Sequence, residues 1–169
     1  MRGQHVSKSM DDLVKEAEGL VKKGVKEVML IAQELTYYGL DIYKKRMLGD
    51  LMNRLADVKG LEWIRLHYAY PSKFPLEILD VMRERDNICN YLDMPLQHAA
   101  NNMLKAMKRQ ITREEMEELT IAIREKVPGI CLRTTLIAGF PGETEDDVEE
   151  LKGFLQRQRF DRVGIFTYS

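Results

Sequence analysis

The sequence predicts an α/β fold, a partial parallel barrel in which five strands are present and the first strand is missing. Three observations carry this. Helical and strand periodicities alternate along the whole chain, which implies a parallel sheet with right-handed crossovers. The first strand present ends in Ala32-Gln33-Glu34-Leu35, not in the Gly-rich turn that a doubly wound nucleotide-binding sheet would want. The first element is a helix that in a barrel would follow a strand, and five strands are too few to close an eight-stranded barrel.

Each element has its own signal. Over residues 9–23, Met10, Leu13, Val14, Ala17, Leu20 and Val21 recur at helical spacing. Ser9 is a natural N-cap, Asp11 and Asp12 suit the first turn, and Gly24 is a natural stop. Residues 25–32 (VKEVMLIA) read as the first strand present, 47–58 as a helix closed by Gly60, and 62–68 (EWIRLHY) as the second strand. Residues 75–85 form a helix with Pro75 near its first turn, and 88–94 (ICNYLDM) the third strand. A short helix over 102–108 precedes a longer one over 112–127, opened by the capping box Thr112-x-x-Glu115. Residues 130–138 (ICLRTTLIA), 144–158 and 162–168 (RVGIFTY) read as strand, helix and strand.

At 169 residues the chain is one domain's worth, and 44% hydrophobic with 31% charged residues is a globular composition. No apolar run approaches the roughly 18 residues of a membrane span. The polar start Met1-Arg2-Gly3-Gln4-His5 is unlike a signal peptide, so a cytoplasmic location is expected and no membrane partner. Lys plus Arg total 26 against 27 acids, so no strong nucleic-acid binding is expected, although a local RNA-contacting patch stays open. Cys89 and Cys131 form neither a disulfide framework nor a metal-ligand spacing, and each is expected in a strand as a small buried hydrophobe.

In parallel α/β sheets, sites form at the carboxyl ends of the strands. Here those ends carry polar and aromatic residues in series. Gln33 and Glu34 supply acceptors suited to an ammonium group, or are two solvated loop residues. The run Gly139-Phe140-Pro141-Gly142-Glu143-Thr144 joins a buried strand to a helix start, where glycines let a ligand approach the backbone. The plain alternative is a tight turn with a capping threonine. Arg133 inside an apolar strand needs a partner, either a ligand carboxylate or an internal acid. His67 and His98 each follow a strand beside tyrosines or apolar residues, a setting that favours packing or hydrogen bonding over metal ligation. No metal-binding spacing such as HExxH is present, so no metal ligand is assigned.

Taken together these strand ends resemble the radical-SAM domain of the methylthiotransferases. The resemblance runs over essentially the whole chain: Arg2-Gly3 followed by Ser7-Lys8-Ser9, LIAQELTYYG at 30–39, MPLQHA at 94–99 and TTLIAGFPGET at 134–144. LTYYGLDIY at 35–43 and WIRLHYAYP at 63–71 are most similar to the branch that modifies a ribosomal-protein aspartate (RimO-type), with the tRNA-adenosine branch (MiaB-type) as the alternative. The resemblance implies a TIM-like (β/α)6 part-barrel. It also implies S-adenosyl-L-methionine and 4Fe–4S clusters in the complete enzyme. The implied product is a methylthio group on the β-carbon of an aspartate in small-subunit ribosomal protein number twelve. By the same resemblance Gln33 and Glu34 fall by the methionyl amino group and Arg133 by its carboxylate. Gln97, Gly139, Gly142, Glu143 and Tyr168 fall by the ribose and adenine. Tyr37, Tyr38, His67, Tyr68, Tyr70 and His98 would face the substrate.

The three cluster cysteines of that family (C-x3-C-x2-C) precede the segment matching Arg2-Gly3, and Cys89 and Cys131 cannot replace them. Residues 1–169 therefore read as an incomplete radical-SAM part-barrel, without the family's N-terminal cluster domain and C-terminal TRAM domain. On its own the chain is expected to hold neither cofactor and to be inactive, with no catalytic residue of its own. Its strand at 25–32 would lie on an open edge, where self-association is plausible chemistry. Two other classes stand beside this reading: a cluster-free (β/α) enzyme acting on an anionic metabolite, and a non-catalytic module that docks on a ribosomal protein through its tyrosine-rich rim.

Overall fold

The computed structural model describes residues 6–32 and 34–169. Its elements are α1 (Met10–Lys22), β1 (Glu27–Leu30), a single 3-10 turn (Leu35–Tyr37), α2 (Leu48–Ala56), β2 (Trp63–Leu66), α3 (Glu77–Glu84), β3 (Ile88–Asp93), α4 (Asn101–Ala106), α5 (Arg113–Lys126), β4 (Cys131–Ala138), α6 (Glu145–Gln158) and β5 (Arg162–Thr167). The five strands form one parallel sheet in the order β1-β2-β3-β4-β5, so spatial order follows chain order. A helix in each connection carries the chain back to start the next parallel strand. No described helix is long and apolar enough to cross a membrane.

The chain divides into two compact units. The first comprises residues up to Tyr68 together with Pro75–Asn90; the second comprises Ala69–Phe74 with Tyr91–Ser169. In the first, Glu27 to Leu30 stand opposite Trp63 to Leu66. Its core is the buried stripe of α2 (Leu48, Leu51, Met52, Leu55) with Ile64 and Leu66 of β2 and Ile78, Leu79 and Met82 of α3. Each such side chain contributes roughly 1.5–3 kcal/mol. In the second, Asp93 stands opposite Arg133, and Arg133 to Ala138 run opposite Arg162 to Thr167. Its core gathers Leu92, Leu104, Met116, Ile123, Leu132, Leu136 and Phe154.

The strands are shorter than the apolar runs suggest. After α1 the Gly24 backbone takes a positive φ of 92°, and Val25 N–H donates back to the Leu20 carbonyl, so pairing starts only at Glu27. The Leu30 carbonyl accepts the His67 amide, and pairing ends there. The single turn at Leu35–Tyr37 has no counterpart in the periodicity.

Along β4 the pleat alternates cleanly. Leu132, Thr134 and Leu136 are buried, while Arg133, Thr135 and Ile137 lie half-open on the other face. That alternation corrects the expectation for the cysteines. Cys131 shares the parity of Arg133, and Cys89 that of Tyr91, so both thiols are half-buried.

Candidate functional site

In the first unit the loop after β1 does more fastening than presenting. Glu34 caps the 3-10 turn: its Oε1 accepts the Thr36 N–H at 3.0 Å and the Thr36 hydroxyl at 2.6 Å. Gln33 lies outside the described residues. Tyr37 is exposed, with the Arg46 guanidinium 5.3 Å from its ring centre. Tyr38 was expected to face a substrate, but it is buried at 7% exposure. Its hydroxyl donates to the Lys8 carbonyl at 3.0 Å, and burial pushes its phenol up to about 12.

Three more bonds join the same two segments. The Ser7 amide donates to Asp41 Oδ2 at 2.7 Å, the Gly39 amide to Ser7 Oγ at 3.1 Å, and the Met10 amide to Tyr43 Oη at 2.8 Å. Hydrogen bonding from Ser7 holds the Asp41 carboxyl at about 2. The loop over 38–43 is thus a clasp on residues 7–10. Nothing in the spacing announces it, because the partners stand 30 or more positions apart. Also in this unit, His67 is half-buried and Tyr68 is exposed with a positive φ of 60°.

In the second unit Arg133, the third residue of β4, stands opposite Asp93 at the end of β3, while Gln97 and the turn after β4 lie farther along. Arg133 Nη1 donates to Asp93 Oδ1 at 2.8 Å, with Asp93 nearly buried at 4% and Arg133 one-third exposed. The internal acid is therefore a partner of this strand arginine. Gln97 takes a positive φ of 75° and docks beside β4: its N–H donates to the Thr135 carbonyl and its carbonyl accepts the Ile137 amide. With Ile137, Phe140 and the segment Met107-Lys108-Arg109 it lines a cavity of about 280 Å³. Arg109 was not singled out from the sequence. Its guanidinium lies 4.4 Å from the Tyr70 ring centre and donates to the Pro95 carbonyl.

The turn after β4 is closed from within. Glu143 Oε2 accepts the Gly139 amide at 2.5 Å, and Glu143 Oε1 lies 2.9 Å from His98 Nε2. His98 was expected to face a substrate, but it has no exposed surface. The expectation failed because its partner lies 45 residues away. Gly139 and Gly142 have positive φ, and a Cβ on either would meet nothing within 4 Å, so the backbone there faces open space. Phe140 packs edge-on against Tyr168, ring centres 5.0 Å apart, and the Tyr168 amide donates to the Ala138 carbonyl. The capping box of Thr144 and Asp147 starts α6, and Asp147 also accepts from Asn102 at 2.7 Å. Those bonds hold the Asp147 carboxyl below the usual range.

Two cofactors can be tested against these groups. Open backbone at Gly139 and Gly142 with the Phe140–Tyr168 aromatic pair beside it suits a nucleoside. An iron–sulfur cluster does not fit: among the described residues no three His, Cys, Asp or Glu side chains converge. The Cys89 thiol is pushed up by burial, away from the thiolate that binds iron.

Residues 1–155 match the family model of the Radical SAM superfamily. The chain is 64% identical over all 169 residues to the ribosomal protein uS12 methylthiotransferase RimO of Cytophaga hutchinsonii, and 57% identical over 167 residues to that of Bacteroides thetaiotaomicron. It spans 39% and 38% of those two proteins. Among solved structures it is similar to the radical S-adenosylmethionine methyltransferase TsrM of Kitasatospora setae (TM-score 0.72, 21% identity, 95% of this chain and 31% of that one). It is also similar to coproporphyrinogen III oxidase (HemN) of Escherichia coli (TM-score 0.70, 19% identity, 98% of this chain and 39% of that one). At those identities the structures speak for the fold, a TIM-like part-barrel. With the family model covering nearly its whole length, the chain belongs to the Radical SAM superfamily.

Proposed function

We propose that this chain is the radical-SAM portion of a methylthiotransferase that modifies the β-carbon of an aspartate in ribosomal protein uS12. One observation carries the reading: identity of 55–64% to uS12 methylthiotransferases across 99–100% of the chain. In this reading S-adenosylmethionine, when bound, supplies the methyl group and the adenosyl fragment of the reaction. The chain's own residues seat it. Phe140 and Tyr168 flank the adenine, Gly139 and Gly142 admit the nucleoside to the backbone, and Gln97 stands by the ribose. Arg133, held by Asp93, faces the methionyl carboxylate. Tyr70 and the cationic edge of Lys108 and Arg109 lie on the side of an acidic substrate residue. The 4Fe–4S clusters belong to other parts of the complete enzyme, and a ribosomal substrate places the work in the cytoplasm.

The test is direct. The full-length protein, purified without oxygen and reduced, is incubated with uS12 and S-adenosylmethionine, and the products are read by peptide mass spectrometry. A methylthio group on one uS12 aspartate is the expected result. Methylthioadenosine in tRNA with unmodified uS12 would move the chain to the tRNA branch, and no modification of either would overturn the reading.

A further inference from the structure

His98 has no exposed surface, and both its ring nitrogens are engaged. Nδ1 accepts the Ala100 amide at 2.9 Å. A ring nitrogen that accepts carries no proton, so the proton sits on Nε2. Nε2 therefore donates to Glu143 Oε1, 2.9 Å away. The other oxygen of that carboxylate accepts the Gly139 amide at 2.5 Å, and the Glu143 side chain is only 9% exposed. The Glu143 amide in turn donates to the Phe140 carbonyl. A backbone amide fixes the tautomer, the tautomer aims the carboxylate, and the carboxylate closes the turn that carries Phe140.

We infer that His98 is a positioning residue: through Glu143 it sets the conformation of the turn over residues 139–142 without touching the ligand. The functional end of this inference rests on the nucleoside seat proposed above. Glu143 then acts on the turn from inside the protein and not as a direct cofactor contact. The fixed tautomer also makes Glu143→Gln a disruptive change. An amide offers one acceptor oxygen to two donors, and the imidazole cannot reverse its tautomer without losing Ala100.

Variants separate this from ordinary packing. In His98→Gln the side-chain amide nitrogen can take the place of Nε2 and keep the bond to Glu143. In His98→Asn the amide reaches only as far as Nδ1, so Ala100 keeps its acceptor and Glu143 loses its donor. The experiment uses the full-length protein with its cluster in place. It reads hydrogen–deuterium exchange of peptides covering residues 139–143 and the affinity for S-adenosylhomocysteine. We expect exchange there to rise about tenfold in His98→Asn and Glu143→Gln, and to stay within about threefold of the wild type in His98→Gln. Peptides from α5 should be unchanged in all three, which establishes that each variant is folded. If His98→Asn does not fold, Glu143→Gln carries the same test. Wild-type exchange at 139–143 in both His98→Asn and Glu143→Gln would overturn the inference. Faster exchange with unchanged affinity would leave the strap formed by His98, Glu143 and Gly139 standing and overturn its link to the nucleoside. A wild-type protein that binds no S-adenosylhomocysteine would overturn the functional reading, while the exchange data would still decide the role of His98.

Discussion

Three acidic side chains, in two settings, show what single residues do here. Asp41, held at about 2 against an ordinary 3.8, is charged in the clasp that closes on Ser7. A depressed carboxyl stabilises the fold above its unfolded value, and that contribution is lost as pH falls through the folded value. The clasp should therefore be intact above about pH 4 and open as pH falls toward 2. Glu114, also held at about 2 by hydrogen bonding from Asn101, adds to the same window. Melting temperature measured from pH 6 down to pH 2 should fall steeply below pH 4, and Asp41→Asn should flatten part of that fall. An unaltered slope in the variant would refute the assignment. Asp93 makes the second case. It is nearly buried against a half-open arginine, so Arg133→Met should cost about 2 kcal/mol, less than for a fully buried pair because solvent screens it. The midpoint of urea unfolding reads this, and adding Asp93→Asn should recover part of the loss. A single-variant loss below about 0.5 kcal/mol would mean that the pair adds nothing.

At the scale of elements, local signals and long-range fastening part company. Both capping boxes, Thr112 with Glu115 and Thr144 with Asp147, are in place, one of them read in advance from the spacing. Thr112→Ala should cost about 1 kcal/mol in stability. Asp147→Ala should cost more, because Asp147 also holds the Asn102 side chain at α4; equal losses in thermal unfolding would contradict this. Among the described residues all six helices and five strands were legible because hydrophobic period and caps are local. Strand ends were overrun by a residue or two, since an apolar run continues past the last paired backbone. The clasp on residues 7–10, the strap at His98 and the Arg109–Tyr70 contact were not legible, because each joins residues distant in the chain. Gly39 belongs to the same group. Its φ is +89°, and an added Cβ would lie 2.9 Å from the Met47 side chain. Gly139 has a similar φ of +79° but open space. Gly39→Ala should therefore destabilise by about 1 kcal/mol more than Gly139→Ala, and equal unfolding midpoints would count against the contact.

Considered unit by unit, β1 of the first and β5 of the second each expose apolar side chains. Met29 on β1, with Ile31 just beyond it, and Val163, Ile165 and Phe166 on β5 are all exposed. An exposed, apolar parallel edge is an association hazard. The 169-residue chain alone should sediment as concentration-dependent oligomers, and Ile165→Lys should shift it toward monomer. A monomer at every concentration would remove the hazard. The chain alone, assayed with reductant, should neither hold an iron–sulfur chromophore nor form 5′-deoxyadenosine, since its described residues offer no converging ligand set.

The half-buried Cys89 thiol bears on how such a protein is handled. It stands where desolvation outweighs the nearby Arg65 and keeps it protonated. A neutral thiol is a poor nucleophile and a poor scavenger of loose iron. During anaerobic reconstitution with iron and sulfide, Cys89 should stay a bystander, and slow labelling by iodoacetamide at neutral pH would report that the first unit is still folded around it.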